Sequence, residues 1–138
     1  MKTVVATGVF DILHPGHILF LEEAKKLGDR LVVIVARDRN VEKRKKPPTI
    51  PERQRMDVVA ALKQVDEAVL GDHEDFYAPI AEIDPDIIAL GANQRFDEKE
   101  LQAQLRQRGL RAKVVRIEAH LEGDLASSRK IIEKIQKQ

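Results

Sequence analysis

Two histidines three residues apart, His14 and His17, flank Pro15-Gly16 in the block Gly8-Val9-Phe10-Asp11-Ile12-Leu13-His14-Pro15-Gly16-His17. The block follows a short apolar run and opens a helical pattern. Imidazole nitrogens donate or accept hydrogen bonds. A helix start adds free backbone N–H groups and about half a positive charge. Together these suit an anion, above all a phosphate. Gly8 and Gly16 let the backbone approach it closely. The same residues admit two other uses, as a helix-capping pair or, with Asp11, as a metal site.

Other segments carry groups that could join them. Lys43-Arg44-Lys45-Lys46-Pro47-Pro48 leads to Pro51-Glu52-Arg53-Gln54-Arg55. A charge run is usually a solvated loop, but this one lies between a strand and a helix and can fold over phosphates. Gly91-Ala92-Asn93-Gln94 is a polar turn whose Asn93 suits hydroxyl or base-edge recognition. Ser127-Ser128-Arg129 is an N-cap pattern. His73 has no supporting pattern and reads as a surface residue.

These segments need a scaffold, and periodicity supplies one. Val4–Ala6, Leu31–Ala36, Ile87–Leu90 and, but for Arg116, Val114–Ile117 are apolar runs, the pattern of strands buried on both faces of a parallel sheet. A weaker run covers Ala68–Leu70. The spacing predicts a helix over about 16–27, with Ile18, Leu21, Ala24 and Leu27 inward and Gly28 as its stop. A second covers about 52–63, with Met56, Val59 and Ala60 on one face, and Phe76–Ile83 is a shorter third. Asp97-x-x-Glu100 resembles a capping box opening a fourth helix, on which Leu101 and Leu105 share a face and which Gly109 ends. Ser127 can cap a last helix with Ile131, Ile132 and Ile135 on its apolar side.

The repetition of strand, helix and strand implies right-handed crossovers. The expected fold class is α/β: a Rossmann-like, doubly wound parallel sheet in three α/β/α layers, as a single domain over residues 1–138. The longest irregular stretch, Asp38–Pro51, holds the basic run and is the candidate mobile loop. The loops after Thr7, Ala36 and Leu90 should share one cleft beyond the carboxyl ends of the strands.

Composition excludes several function classes. The 138 residues carry a formal net charge of +1, which argues against a nucleic-acid binder driven by bulk charge. With no cysteine there is no disulfide, thiol nucleophile or cysteine metal site. No apolar run approaches the ~20 residues that span a bilayer, so no membrane contact is expected. The chain enters a strand at once, without a signal-peptide pattern, and a cytoplasmic location is expected.

Gly8, Phe10, Asp11, His14, Gly16 and His17 match the Gly-x-Phe-Asp-x-x-His-x-Gly-His signature of the cytidylyltransferase-like nucleotidyltransferases, which this chain resembles. The resemblance implies the nucleotidyltransferase fold of the His-x-Gly-His type. It also implies direct in-line attack by a phosphate monoester oxygen on the α-phosphorus of a nucleoside triphosphate, with pyrophosphate leaving. The attacking oxygen is already anionic, so positioning and charge neutralisation suffice. His14 and His17 are then the catalytic donors, and Val9, Phe10, Pro15 and Gly16 bind nucleotide with them. The resemblance makes Lys46 the foremost loop lysine, ahead of Arg44 and Lys43. It makes Arg55 the clamp on the leaving group, by its interval to Val65-Asp66, and leaves Arg53 on the surface. It places Asn93 at the ribose or base, Ser127 and Ser128 on the triphosphate, and His120 near the substrate. Asp11 orients a histidine or a divalent cation, and both remain open at this point. No residue is assigned as a metal ligand.

Within that superfamily the chain is most similar to the small archaeal-type FAD synthases, through nearly its whole length. The matching phrases are Phe10 to His17, Ile34 to Asp38, Ile50-Pro51-Glu52 with Gln54-Arg55, Val65-Asp66 through Leu70-Gly71, Pro85 to Ile88, and Ser127-Ser128 with Ile131-Ile132. Val9 in place of Thr, Ala92-Asn93 in place of Tyr-Asp, and the absence of C-terminal cysteines depart from the pattern. This likeness implies transfer of AMP from ATP to FMN, giving FAD and pyrophosphate, with a divalent cation, Mg²⁺, bound with the nucleotide. It also implies a homodimer. With only four Phe and one Tyr in the chain, Phe20, Phe76, Tyr77 and Phe96 could wall a flavin or simply pack the core. The alternatives are a glycerol-3-phosphate cytidylyltransferase or another small-phosphate nucleotidyltransferase, and a non-catalytic nucleotide-binding module.

Overall fold

A computed structural model describes residues 1–42, 47–92, 94–119 and 127–138. The elements run β1 (Thr3–Gly8), α1 (Pro15–Lys26), β2 (Arg30–Val35), α2 (Asp38–Glu42), α3 (Glu52–Ala60), β3 (Glu67–Leu70), α4 (Tyr77–Ile83), β4 (Ile87–Gly91), α5 (Glu98–Gln107), β5 (Lys113–Ile117) and α6 (Ser128–Gln136). The strands form one sheet in the order β3-β2-β1-β4-β5, every neighbouring pair parallel. The order reverses at β1, which pairs with β2 on one side and β4 on the other, and this makes the topological switch point.

Side chains alternate across each strand, so the sheet has two apolar faces. Val4, Ala6, Leu31, Val33 and Val35 face Leu21 and Ala24 of α1 and Val59 of α3. Val5, Val32, Ile34, Ile88 and Leu90 face Ile80 of α4 and Leu101 and Leu105 of α5. The expected three-layer doubly wound architecture is therefore present. Among the described residues no helix is long and apolar enough to cross a membrane.

Three details differ from the sequence reading. The stretch Asp38–Pro51 is not wholly irregular, because it opens with the one-turn helix α2. Helix α3 stops at Ala60, where Ala61 and Leu62 donate to carbonyls three residues back and swing the chain toward β3. Its inward face is also rotated: Arg55 and Val59 are buried, whereas Ala60 is exposed. Gly28 lies just past α1 as expected. A Cβ there would stand 2.8 Å from the Lys2 carbonyl oxygen, so close approach to β1 requires the glycine.

Candidate active site

The turn between β1 and α1 is built on Phe10, whose φ of 53° lies in the left-handed region. A bulky residue held there costs of order 1–3 kcal/mol, so its surroundings must enforce the conformation. Its ring is 4% exposed, and a Cβ on Gly8 would meet it at 2.8 Å, so Gly8 leaves the space the ring fills. The same ring lies beside His17, at 5.3 Å between centroids.

His14 caps α1 and Pro15 takes the first helical position, where a missing N–H costs nothing. His14 Nδ1 accepts from the Gly16 N–H at 3.1 Å, and His17 Nδ1 accepts from the His14 N–H at 3.3 Å. The two histidines thus form a reciprocal capping box, their rings stacked 3.8 Å apart. Capping and phosphate chemistry are compatible uses of the pair. With each Nδ1 engaged as an acceptor, a neutral ring carries its proton on Nε2. Neither Nε2 has a partner among the described residues. Burial holds the His17 imidazole down at about 4, with His14 pushing the same way and Asp11 opposing. Burial also lowers His14. Before a ligand arrives, both rings are therefore neutral Nε2–H donors at pH 7, and an incoming phosphate raises their proton affinity.

The helix start differs from the row of free N–H groups expected from sequence. Pro15 has none, Gly16 donates to His14, and the N–H groups of His17 and Ile18 donate to the His14 carbonyl at 3.0 and 3.4 Å. What remains for an anion is the helix dipole and the two imidazole donors.

Arg55, expected as the clamp on the leaving group, lies inside the protein. It is 1% exposed and its guanidinium is enclosed. Nε donates to the Ile50 carbonyl at 2.8 Å, one terminal nitrogen to the Val9 carbonyl at 2.7 Å, and the other to the Asp38 carboxylate at 2.6 Å. Asp38 and Glu52 accept each other's backbone N–H, at 3.2 and 3.0 Å. Glu52 also pairs with Arg37 at 2.8 Å, and Arg37 donates to the Gly71 carbonyl at 2.7 Å. The Asp38 N–H and Arg37 hold the Glu52 carboxyl below its ordinary range. An ionic chain therefore runs from the end of β3, past β2 and the head of α3, to the β1 turn.

Asp11 accepts the N–H groups of Thr49 and Ile50 at 2.9 and 2.8 Å. Its carboxylate latches the segment before α3 to the signature turn. Among the described residues no group of three His, Cys, Asp or Glu side chains could hold a metal ion.

The loop after β4 is braced in the same way. Gln94 accepts from the Gly91 N–H at 2.7 Å and donates to the Thr7 carbonyl at 2.9 Å, tying β4 to β1 at the switch point. Arg116 donates to the carbonyls of Gly91, Gln94 and Phe96 at 2.7, 2.7 and 2.8 Å, and pairs with Glu98 at 2.8 Å.

The structure thus brings Val9, Phe10, Asp11, His14, Gly16, His17 and Arg55 to one place. Lys43, Arg44, Lys46, Asn93 and His120 lie outside the described residues, as does the Ser128 side chain. Ser127 caps α6 by accepting from the Lys130 N–H at 3.1 Å. His73 and Arg53 are exposed, as expected. Phe76 meets Tyr77 edge-on at 5.1 Å and Phe96 in a tilted contact at 5.3 Å, and this cluster packs on the core under α4 and α5, while Phe20 packs on the opposite face. Sequence reasoning gave no role to Arg37, Asp38, Glu52, Gln94 or Arg116. A signal existed for one of them: Arg116 interrupts an otherwise apolar strand.

Comparison with known proteins fits this geometry. A sequence model described as cytidylyltransferase-like matches residues 5–134. The FAD synthase of Ferroglobus placidus is 64% identical over 135 residues, 98% of this chain and 88% of that protein. The FAD synthase of Archaeoglobus profundus is 62% identical, covering 98% of this chain and 86% of its own length. Among solved structures, a lipopolysaccharide core biosynthesis protein from Thermoplasma volcanium superposes with a TM-score of 0.85 at 48% identity, covering 88% of this chain and 99% of that one.

Proposed function

The chain belongs to the cytidylyltransferase-like family, and we propose that it is a nucleotidyltransferase that makes FAD, joining FMN to the AMP moiety of ATP with release of pyrophosphate. The observation that carries the reading of the site is the pair of neutral, stacked imidazoles whose Nδ1 atoms are spent on the helix cap. Their Nε2–H groups donate to the α-phosphate of ATP. The FMN phosphate oxygen attacks that phosphorus, the bond to the bridging oxygen breaks, and pyrophosphate takes the electron pair. Charge grows on the oxygens that the two donors hold, where a preorganised donor counts most. Lys46 neutralises the leaving group from the basic loop, and Asn93, His120, Ser127 and Ser128 bind the nucleotide. Arg55 acts on the turn rather than on pyrophosphate, because its donors point into the protein. Mg²⁺ bound with the triphosphate would neutralise part of its charge. A homodimer working in the cytoplasm completes the reading; both rest on likeness to the archaeal-type enzymes, and light scattering tests the first.

The experiment incubates purified protein with Mg²⁺, ATP or CTP, and FMN or glycerol 3-phosphate, and follows pyrophosphate and the nucleotide product. FAD from ATP and FMN is expected. CDP-glycerol from CTP, or no turnover with any acceptor, overturns the proposal.

A further inference from the structure

We propose that Asp38 is a positioning residue for His17, acting through Arg55 and the Val9 carbonyl to hold the left-handed turn at Phe10 that carries the ring against His17. The proposal rests on the reading that His17 donates to the α-phosphate, and it assigns a role to a side chain outside the signature.

The geometry sets out each link. The hydrogen bond that holds the His17 ring, from the His14 N–H to Nδ1, is 3.3 Å, at the weak end of the range. The ring therefore depends on packing for its orientation, and the Phe10 ring is its neighbour at 5.3 Å. Phe10 occupies a conformation that it would leave if unconstrained, with φ at 53°. Both residues flanking it are held by the segment 49–55. Arg55 grips the Val9 carbonyl at 2.7 Å, and Thr49 and Ile50 donate to Asp11 at 2.9 and 2.8 Å.

Arg55 has a long side chain with many rotamers, and the one observed aims its fork at Val9. The 2.6 Å contact with Asp38 is the charged partner that selects it. Asp38 is in turn fixed by the Glu52 N–H at 3.2 Å, while its own N–H binds Glu52 at 3.0 Å. Its side chain is 34% exposed against 0% for Arg55, so Asp38 can be altered with less damage to the fold.

The test is Asp38→Asn, which removes the charge and cannot both accept from the Glu52 N–H through its amide nitrogen and hold Arg55 as before. Three quantities are read: kcat and the KM for ATP in FAD formation, the melting temperature, and the His17 imidazole ¹⁵N pattern, which reports the tautomer. The expected result is a fall of about tenfold or more in kcat, as a small misplacement of a reacting group produces, with KM for ATP changed less than about threefold. The His17 pattern passes from a single Nε2–H tautomer to a mixture. Glu67→Gln serves as the control, since the exposed Arg30–Glu67 pair sits at the amino ends of β2 and β3. It is expected to leave kcat and the ¹⁵N pattern as they are.

An unchanged His17 pattern overturns the proposal even if kcat falls, because the loss then comes from general destabilisation. An unchanged kcat overturns it as well. Should Asp38→Asn not fold, Arg55→Lys keeps a charge beside Asp38 but gives up the fork, and the same readings apply. A wild-type protein that makes no FAD defeats the reaction assignment, while the ¹⁵N pattern still decides whether Asp38 positions His17.

Discussion

Replacing His17 by Gln separates two uses of one ring. Glutamine is a natural capping-box residue at the third helical position, because its side-chain oxygen can accept the N-cap N–H. The substitution therefore keeps the bond that His17 makes to the His14 N–H and removes the titrating imidazole. In the folded protein His17 is held down at about 4, mainly by burial, whereas an unfolded imidazole titrates near 6.5. Between those values the unfolded chain binds more protons than the folded one, so acid favours unfolding. The stabilisation is complete above about pH 6.5 and disappears toward pH 4. Integrated from pH 7 to pH 5, the His17 contribution falls by about 2 kcal/mol, and by about 3 kcal/mol once both states are protonated. Urea unfolding of wild type and His17→Gln at pH 7, 6 and 5 measures it. The wild type should lose about 2 kcal/mol more than the variant between pH 7 and 5. His14, whose imidazole is also lowered by burial, acts in both proteins and largely cancels. At pH 7 the variant should stay folded but lose about 10²-fold in turnover, as removal of a transition-state donor does. Parallel pH profiles, or full activity in the variant, would refute the reasoning.

Other perturbations test the supports around the ring. Arg55→Met strands the Ile50 and Val9 carbonyls and removes a buried partner of Asp38. It should cost about 3 kcal/mol in chemical denaturation, as breaking a buried pair does; a loss under about 1 kcal/mol contradicts the role of brace. Gly8→Ala places a Cβ 2.8 Å from the Phe10 ring, which is 4% exposed and has little room to yield. Overpacking of about 1–3 kcal/mol is expected in thermal unfolding, with a drop in turnover, and an unaffected enzyme counts against the tight turn. Arg116→Met frees the carbonyls of Gly91, Gln94 and Phe96. It should raise the KM for ATP more than it lowers kcat, because this loop leads through Asn93. Chelation of Mg²⁺ with EDTA should abolish FAD formation while leaving the melting temperature of the free protein unchanged.

Much of the fold was legible because β1, β2 and β4 are built on uninterrupted apolar runs and the helices carry strong boundary residues. Asp97 caps α5 through the N–H groups of Lys99 and Glu100, and Gly109 follows that helix with φ at 74°, as its sequence implied. The face of α3 was misread for one physical reason: periodicity counts arginine as polar, yet Arg55 is buried because protein carbonyls and a carboxylate replace its water. The place of the histidine pair at a helix start was legible from type and spacing, but not the division of labour between their two nitrogens, which depends on the ring orientations. The partners of Asp11 were illegible for another reason, since a bond to backbone N–H groups leaves no mark on the identities of Thr49 and Ile50.

The distances along the chain between the signature turn and its supports bear on how the protein is made. The two residues flanking Phe10 are held from 38 to 46 positions downstream, Asp11 by Thr49 and Ile50 and Val9 by Arg55. The first strand, helix and strand can pair without them, since β1 and β2 bond directly. A growing chain that has not yet produced Arg55 therefore has the sequence of the site but lacks the bonds that keep its turn left-handed. If that turn positions His17 as proposed, turnover during refolding should lag behind the formation of the β1–β2 pair.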